Sequence, residues 1–308
     1  MVWWRRSYCV EVDRFIDEAD VMGKRRAFLM AGAAWIALGL AGIAHAASGE
    51  ARRPETRVVH DVAYGSDPGQ RFDVYLPPSP HDAPVIFMVH GGAWTIGDKT
   101  NPGVVEDKAA YWLPKGYMLI SVNYRMVPEA GPLEQANDVA RALAAAQRLA
   151  ASWGADPHRF VLMGHSAGAH LVALLGADPA LLSAAGAARP RGVVSLDSAA
   201  MDVVQIMEFP RHPRLYDRAF GENPRDWAAA SPYHRLRSGA LPMLAVCSSR
   251  RFDACPQARR FAQKAATLGT RVDVLPQDLS HAEINRTLGQ PSDYTARVSA
   301  FIDGLVAL

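Results

Sequence analysis

The sequence has little cysteine, little net charge and none of the short motifs that mark metal or nucleotide sites. Its 308 residues include only three cysteines, and no C-x-x-C, H-E-x-x-H or G-x-G-x-x-G stretch occurs. A disulfide-rich scaffold, a zinc site and a dinucleotide-binding turn are therefore not indicated. The formal net charge is only +2, and the basic residues between positions 211 and 260 are scattered. We expect no nucleic-acid partner and no metal site.

An apolar stretch near the N-terminus has the parts of an export signal. Met22 begins the basic segment M-G-K-R-R, residues 27–44 are apolar, and A-H-A follows at 44–46. These three parts together are typical of a secretory signal, and the R-R-A-F-L stretch resembles a twin-arginine signal. We interpret residues 1–46 as an N-terminal extension and a cleaved export signal with Met22 as the true start. The expected location is periplasmic or secreted.

A membrane anchor is the alternative interpretation of residues 27–44. The segment is near the lower length limit for a membrane-spanning helix, but it is rich in Ala and Gly and only moderately apolar. If it were retained, it would attach the protein to a membrane. Otherwise we expect no stable membrane partner.

From residue 47 onward, short apolar runs alternate with helical patterns. Alternating segments at 57–64 and 71–76 flank a turn with Gly and Pro, which predicts a hairpin. Strands are also predicted at 85–89, 118–122, 159–165, 193–196, 243–247 and 271–275, and helices at 133–152, 257–268 and 294–306. Continuous apolar runs are typical of strands covered on both faces. The pattern predicts one α/β domain over residues 47–308, a mostly parallel sheet wrapped by helices.

Residues 164–168 read G-H-S-A-G and lie between a predicted strand and an apolar helical segment. In an α/β-hydrolase, a Ser at such a strand-to-helix corner is the nucleophile elbow. Gly164 and Gly168 would remove side chains that clash in this tight turn, and the helix N-terminus would face the reacting centre. We predict Ser166 as the nucleophile. A structural Gly/Ser turn is the alternative.

The triad of this fold runs Ser, acid, His along the chain, so the base and the acid are sought after Ser166. His281 is the only His beyond residue 234 and follows the last predicted strand. The S-H-A-E stretch at 280–283 predicts a capping box that places it at the start of a helix. The acid is expected on the loop after the preceding strand, which selects Asp253. Its rivals are Asp197, Asp202 and Asp278.

The predicted oxyanion hole takes the backbone N–H groups of Gly92, Ala93 and Ala167. Ala167 follows the nucleophile, and the other two lie on the Gly-rich turn after strand 85–89. Trp94 either lines the acyl pocket or packs in the core. Three histidines nearby match no metal-ligand spacing, so we expect them to make local packing contacts: His90, His165 and His170.

Two further features stay open at this point. The stretch 203–238 breaks the alternation, is rich in Pro, Arg and aromatic residues, and follows the end of a predicted strand. We interpret it as a small irregular cap over the active site, with a surface excursion as the alternative. Cys247 and Cys255 would form a short-loop disulfide if their Cα atoms were close enough, although Cys247 also fits a buried strand.

Three segments carry a resemblance to a known family. They are H-G-G-A-W at 90–94, the stretch 123–129 with N-Y-R and P-E, and G-H-S-A-G-A-H at 164–170. They resemble the esterase and lipase branch of the α/β-hydrolases, the hormone-sensitive-lipase-like group, and also feruloyl-esterase-like and kynurenine-formamidase-like relatives. The resemblance spans roughly residues 70–305, and it departs from the HGGG form at Ala93. It implies a cofactor-free serine hydrolase acting on carboxylic esters.

The expected function is therefore a serine carboxylesterase that hydrolyses short-chain or aryl esters through an acyl-enzyme. An arylformamidase-like hydrolase that cleaves a formyl amide with the same triad is the first alternative. A non-catalytic α/β-hydrolase fold used for binding is the second. In the first two cases the partner is a small-molecule substrate.

Overall fold

A computed structural model describes residues 56–307. The predictions for residues 1–46, their cleavage and the anchor at 27–44 lie outside the described residues. Within them, the strands are β1 (Arg57–Ala63), β2 (Arg71–Leu76), β3 (Ala83–Val89), β4 (Met118–Val122), β5 (Ala155–His165), β6 (Gly192–Leu196), β7 (Met243–Ser248) and β8 (Val272–Gln277). They form one 8-stranded sheet in the order β1-β2-β4-β3-β5-β6-β7-β8. β1 and β2 pair antiparallel and β2 joins β4 antiparallel, whereas all other neighbours are parallel.

Helices lie between and after these strands. Their bounds are α1 (Pro102–Trp112), α2 (Pro132–Leu149), α3 (Ala167–Ala177), α4 (Ala180–Ala184), α5 (Val203–Met207), α6 (Arg214–Phe220), α7 (Pro224–Ala229), α8 (Pro232–Arg235), α9 (Ala254–Thr267), α10 (His281–Arg286) and α11 (Asp293–Val306). In the part of the chain that the structure describes, no helix is long and apolar enough to span a membrane.

The central strands are largely apolar because helices cover both faces of the sheet. Along β3, Val85, Phe87 and Val89 pack into a core cluster with α2 and α3. The intervening Ile86 and Met88 pack into a second cluster with α1 and α11 on the opposite face. This alternation of sides along one strand is the expected geometry of a buried strand. The α/β prediction, with its mostly parallel sheet, is confirmed.

Parallel pairing brings the carboxyl ends of neighbouring strands to one edge of the sheet, including those of β3, β5, β6, β7 and β8. The last residues pair in register as Val89 with Gly164, His165 with Leu196, Leu196 with Val246, and Ser248 with Gln277. The loops after β3, β5, β6, β7 and β8 therefore emerge together. Ligands of open α/β sheets bind at such an edge.

Residues 203–235 contain short helices joined by turns, whereas the sequence predicted an irregular segment. Four short helices, α5 to α8, occupy this region. Asp202 caps α5 through the amide of Gln205, and Asn223 caps α7, which has Pro224 in its first turn. Each helix is only 4 to 7 residues long, too short to show a helical period in the sequence. The capping residues were the available signal.

Candidate active site

Ser166 sits at a strained corner between β5 and α3. Its backbone adopts φ 56° and ψ −116°, and its amide donates to Leu196 O over 3.0 Å. A Cβ at Gly164 would lie 2.3 Å from Gly168 O, and a Cβ at Gly168 would lie 2.3 Å from Val89 O. These contacts are the clashes expected of an elbow, and they explain why both positions are glycine.

His281 is the first residue of α10 and reaches Ser166 across the sheet edge. The Ser166 hydroxyl donates to its Nε2 over 2.9 Å. The predicted capping box is present: Ser280 accepts from the Glu283 amide, and the Glu283 carboxylate accepts from the Ser280 amide. This local structure fixes where α10 begins and so holds His281 at the helix N-terminus. The structure thus brings together the predicted nucleophile and base.

The carboxylate on the other side of His281 belongs to Asp197, not to Asp253. His281 Nδ1 donates to Asp197 Oδ2 over 2.6 Å, and the amide of Ser248 donates to Asp197 Oδ1 over 2.7 Å. Asp197 is fully buried. Although burial opposes ionisation, the hydrogen bond from His281 and the charge of Arg251 hold the pKa of Asp197 well below its usual range.

The structure corrects the prediction that Asp253 is the triad acid, because Asp253 faces Arg251 rather than the imidazole. The Arg251 Nη2 and Nε atoms each lie 3.3 Å from an Asp253 oxygen, and the Arg251 Nη1 donates to Asp197 over 2.8 Å. The guanidinium therefore separates Asp253 from His281. Asp197, a rival acid in the sequence analysis, directly follows β6, the neighbour of the elbow strand.

The other two rival acids have structural partners. Asp202 is the N-cap of α5 and pairs with Arg260 at 2.9 Å. Asp278 is largely exposed and pairs with Arg250 at 2.8 Å.

The turn after β3 places the predicted oxyanion donors beside the nucleophile. A Cβ on Gly91 would lie 2.9 Å from the Ser166 Cβ, so this backbone closely approaches the elbow. Gly92 and Ala93 take positive φ values of 124° and 51°, and a Cβ on Gly92 would lie 1.8 Å from Ile96 O. Within residues 56–307, the amides of Gly92, Ala93 and Ala167 donate to no protein acceptor. They are thus available to a substrate oxygen.

Trp94 packs in the core, the second of its two predicted roles. Its indole is 4% exposed and donates to His170 Nδ1 over 3.2 Å. Its ring also packs against Phe220 of α6, with 4.9 Å between ring centroids. His170 Nε2 in turn donates to Ala230 O over 2.7 Å. These contacts connect the oxyanion turn, the elbow helix and the region of short helices.

The three nearby histidines make local packing contacts, as predicted. His90 stacks on Tyr124, and His165 Nε2 donates to His281 O over 2.9 Å. Burial lowers the pKa of His170 to about 4, and burial together with His281 holds the pKa of His165 well below its usual value. Among the described residues, no group of His, Cys, Asp or Glu side chains could hold a metal ion.

Cys247 and Cys255 form a disulfide, with Cα atoms 5.1 Å apart. It joins the end of β7 to the first turn of α9. The loop that it closes carries Arg251 and Asp253, so the covalent link constrains the segment beside the candidate triad.

The sheet order, the elbow and the Ser166–His281–Asp197 geometry define an α/β-hydrolase with the side-chain arrangement of a serine hydrolase. Comparison with known proteins agrees. Residues 72–186 match the family model described as BD-FAE. A truncated carbohydrate esterase from gut microbiota has a similar structure, with a TM-score of 0.69 and 19% identity, over 82% of this chain and 97% of that chain. The chain therefore shares the α/β-hydrolase fold with that esterase, which confirms the predicted resemblance.

Two curated relatives carry esterase names. Esterase LipQ of Mycobacterium tuberculosis is 33% identical over 203 residues, 60% of this chain and 47% of that protein. A probable isoprenylcysteine alpha-carbonyl methylesterase of Oryza sativa subsp. japonica is 32% identical over 118 residues, 38% of this chain and 28% of that protein. The chain thus spans less than half the length of these relatives.

Proposed function

We propose that this protein is a serine carboxylesterase that hydrolyses small-molecule carboxylic esters through an acyl-enzyme. The observation that carries the proposal is the continuous hydrogen-bonded path from Ser166 Oγ through His281 to Asp197. This order of nucleophile, base and orienting acid is the arrangement that activates a serine hydroxyl for acyl transfer. The esterase names of the relatives support the same reaction.

In acylation, Ser166 Oγ attacks the ester carbonyl carbon while its proton passes to His281 Nε2. Asp197 keeps Nδ1 protonated and stabilises the imidazolium that forms. The amides of Gly92, Ala93 and Ala167 stabilise the negative charge on the carbonyl oxygen. The imidazolium then protonates the departing alkoxide, and the alcohol leaves. In deacylation, water gives a proton to His281 and its oxygen attacks the acyl carbon. The bond from that carbon to Ser166 Oγ then breaks, the imidazolium returns the proton to Oγ, and the acid leaves.

Short-chain or aryl esters are the proposed substrates. Rings from the loop after β3 and from α6 fill the interior beside the oxyanion turn, where Trp94 packs against Tyr216 and Phe220. This filled volume favours a short acyl group over a long one.

A series of p-nitrophenyl esters of increasing acyl length tests the proposal directly. We expect hydrolysis of the acetate, falling activity with longer chains and covalent labelling of Ser166 by an organophosphonate. Ser166→Ala should abolish turnover and labelling while keeping the unfolding temperature. Absence of both hydrolysis and labelling in the wild type would favour the binding-protein alternative. A kcat/KM that is higher on N-formylkynurenine than on p-nitrophenyl acetate would favour the formamidase.

We also propose that the protein is exported and that the apolar segment 27–44 is removed with its signal. The Cys247–Cys255 disulfide supports export, because such bonds form and persist mainly in oxidising compartments. N-terminal sequencing of the exported protein tests this proposal. An N-terminus upstream of Ala27 would contradict cleavage.

A further inference from the structure

The guanidinium of Arg251 touches both members of the acid–base pair of the candidate site. Its Nη1 lies 2.8 Å from Asp197 Oδ2 and 3.0 Å from His281 Nδ1. Asp197 Oδ2 therefore accepts from two donors, the imidazole and the guanidinium. Arg251 is only 18% exposed and Asp197 is not exposed at all, so solvent screens this contact weakly.

Asp253 lies on the opposite side of the same guanidinium. Its two carboxylate oxygens are each 3.3 Å from Arg251 nitrogens, and its side chain is 20% exposed. The sequence-predicted acid thus contacts Arg251, which in turn contacts Asp197 and His281. With a neutral imidazole the four side chains of Asp197, Arg251, Asp253 and His281 carry a net charge of −1, and protonation of the imidazole brings that charge to zero.

The loop that carries Arg251 is held at both of its ends. The Cys247–Cys255 disulfide closes it, and the amide of Ser248 donates to Asp197. A short, constrained loop therefore positions the Arg251 guanidinium. Such support is what a residue acting on catalytic geometry requires.

We propose that Arg251 is a positioning residue for the hydrolytic reaction, holding the Asp197 carboxylate against His281 and opposing protonation of that imidazole, while Asp253 offsets its charge. The inference rests on the proposed ester hydrolysis. Arg251 stabilises the ionised acid by a charge-assisted hydrogen bond. A cation 3.0 Å from Nδ1 disfavours the imidazolium. The negative charge of Asp253 offsets the positive charge of Arg251 and so weakens this effect.

The substitutions proposed below do not alter the other charged and titratable groups that lie around His281. His165 contacts it from the end of β5, and Lys108 of α1 bonds to the Asn285 carbonyl of its helix. Glu283, also on α10, pairs with Arg250. Because the variants below leave these groups in place, differences between variants report on Arg251 and Asp253.

The test compares the acid limb of the pH profile of kcat/KM for p-nitrophenyl acetate in the wild type and in variants. Arg251→Gln should lower kcat and move the acid limb to higher pH by about 1 unit, because a cation near the imidazole is lost. Asp253→Asn should move the limb the opposite way, by about 1 unit, because the charge of Arg251 is no longer offset. The double variant should return the limb close to the wild-type position.

Arg271→Gln is the matched control, since this exposed arginine pairs with Asp273 of β8, away from Asp197 and His281. It should leave the limb unmoved. A salt bridge with only a structural role would lower activity at every pH without moving the limb, and that result, or shifts of both single variants in one direction, would overturn the inference. If Arg251→Gln failed to fold, the downward shift in Asp253→Asn would still decide.

An NMR titration of the His281 ring provides a readout that does not depend on turnover. The His281 signal is assigned by its loss in His281→Gln, and its midpoint should move in the same directions as the kinetic limb. Absence of ester turnover in the wild type would contradict the proposed function, whereas unmoved NMR midpoints would contradict the role of Arg251. The two failures are therefore distinguishable.

Discussion

His281 Nδ1 lies 2.6 Å from Asp197 Oδ2, although the two residues are 84 positions apart in the chain. Asp197 follows β6 and His281 follows β8, so the parallel sheet brings the two residues to the same edge. Asp197 has a positive φ of 57°, which turns the backbone sharply at the end of β6. The acid of the candidate triad is thus supplied by the strand next to the elbow strand.

Replacing Asp197 or Asp253 by asparagine distinguishes the roles of the two carboxylates. Asp197→Asn should lower kcat by about 10⁴-fold, because the amide leaves His281 in the wrong tautomer to act as a base. Asp253→Asn should lower kcat by far less, since Asp253 contacts Arg251 whereas Asp197 accepts the imidazole hydrogen bond. Steady-state kinetics on p-nitrophenyl acetate, with circular dichroism to verify folding, checks both. Equal losses in the two variants would contradict the assignment of Asp197.

Gly92 should be intolerant of any side chain. A Cβ there would lie 1.8 Å from Ile96 O, and the φ of 124° is strained for Ala, so Gly92→Ala must displace the oxyanion turn. We expect kcat to fall by about 10²- to 10³-fold, the usual loss when an oxyanion donor is removed. Gly131→Ala is the control, because a Cβ there meets nothing within 4 Å. Its activity should match the wild type.

Loss of the disulfide should destabilise the protein measurably. The Cys247–Cys255 bond closes a loop with a sequence separation of 8, for which chain entropy gives about 2–3 kcal/mol. Urea unfolding of the Cys247→Ser/Cys255→Ser variant should show this decrease in the free energy of unfolding. A reductant should lower the stability of the wild type and leave that of the variant unchanged. No effect in either case would mean that the bond is absent in solution.

Lys108 should make stability depend on pH above neutrality. It is 1% exposed, its Nζ donates to Gly103 O and Asn285 O, and burial lowers its pKa to about 7. Since the unfolded chain holds this proton up to its ordinary pKa near 10.5, the unfolded state binds more protons between those values. Stability therefore rises with pH over that window, by up to about 1.4 kcal/mol per pH unit.

Thermal unfolding of the wild type and of Lys108→Met from pH 6 to pH 10 measures this contribution. The difference in stability between the two proteins should grow in favour of the wild type as pH rises above 7. A constant difference would show that Lys108 keeps its proton in the folded state.

Local patterns predicted much of the fold. The hairpin and β4 agree with the prediction nearly residue by residue, and α11 begins only one residue before its predicted start. Helix α1 was missed although Asn101 and Pro102 mark its N-terminus. It buries residues on several sides, including Lys108 and Trp112, so its apolar stripe is weak.

The sequence by itself determined the elbow at Ser166 and the placement of His281 on a capped helix. Both depend on interactions within a few residues, the steric limits of a tight turn and the capping of a first turn. Only the tertiary structure decided which carboxylate meets His281. The loops after β6 and β7 both reach this edge of the sheet, and their paths set Asp197 on the imidazole and place Arg251 in front of Asp253. Such contacts depend on distances between remote segments, which local sequence patterns do not specify.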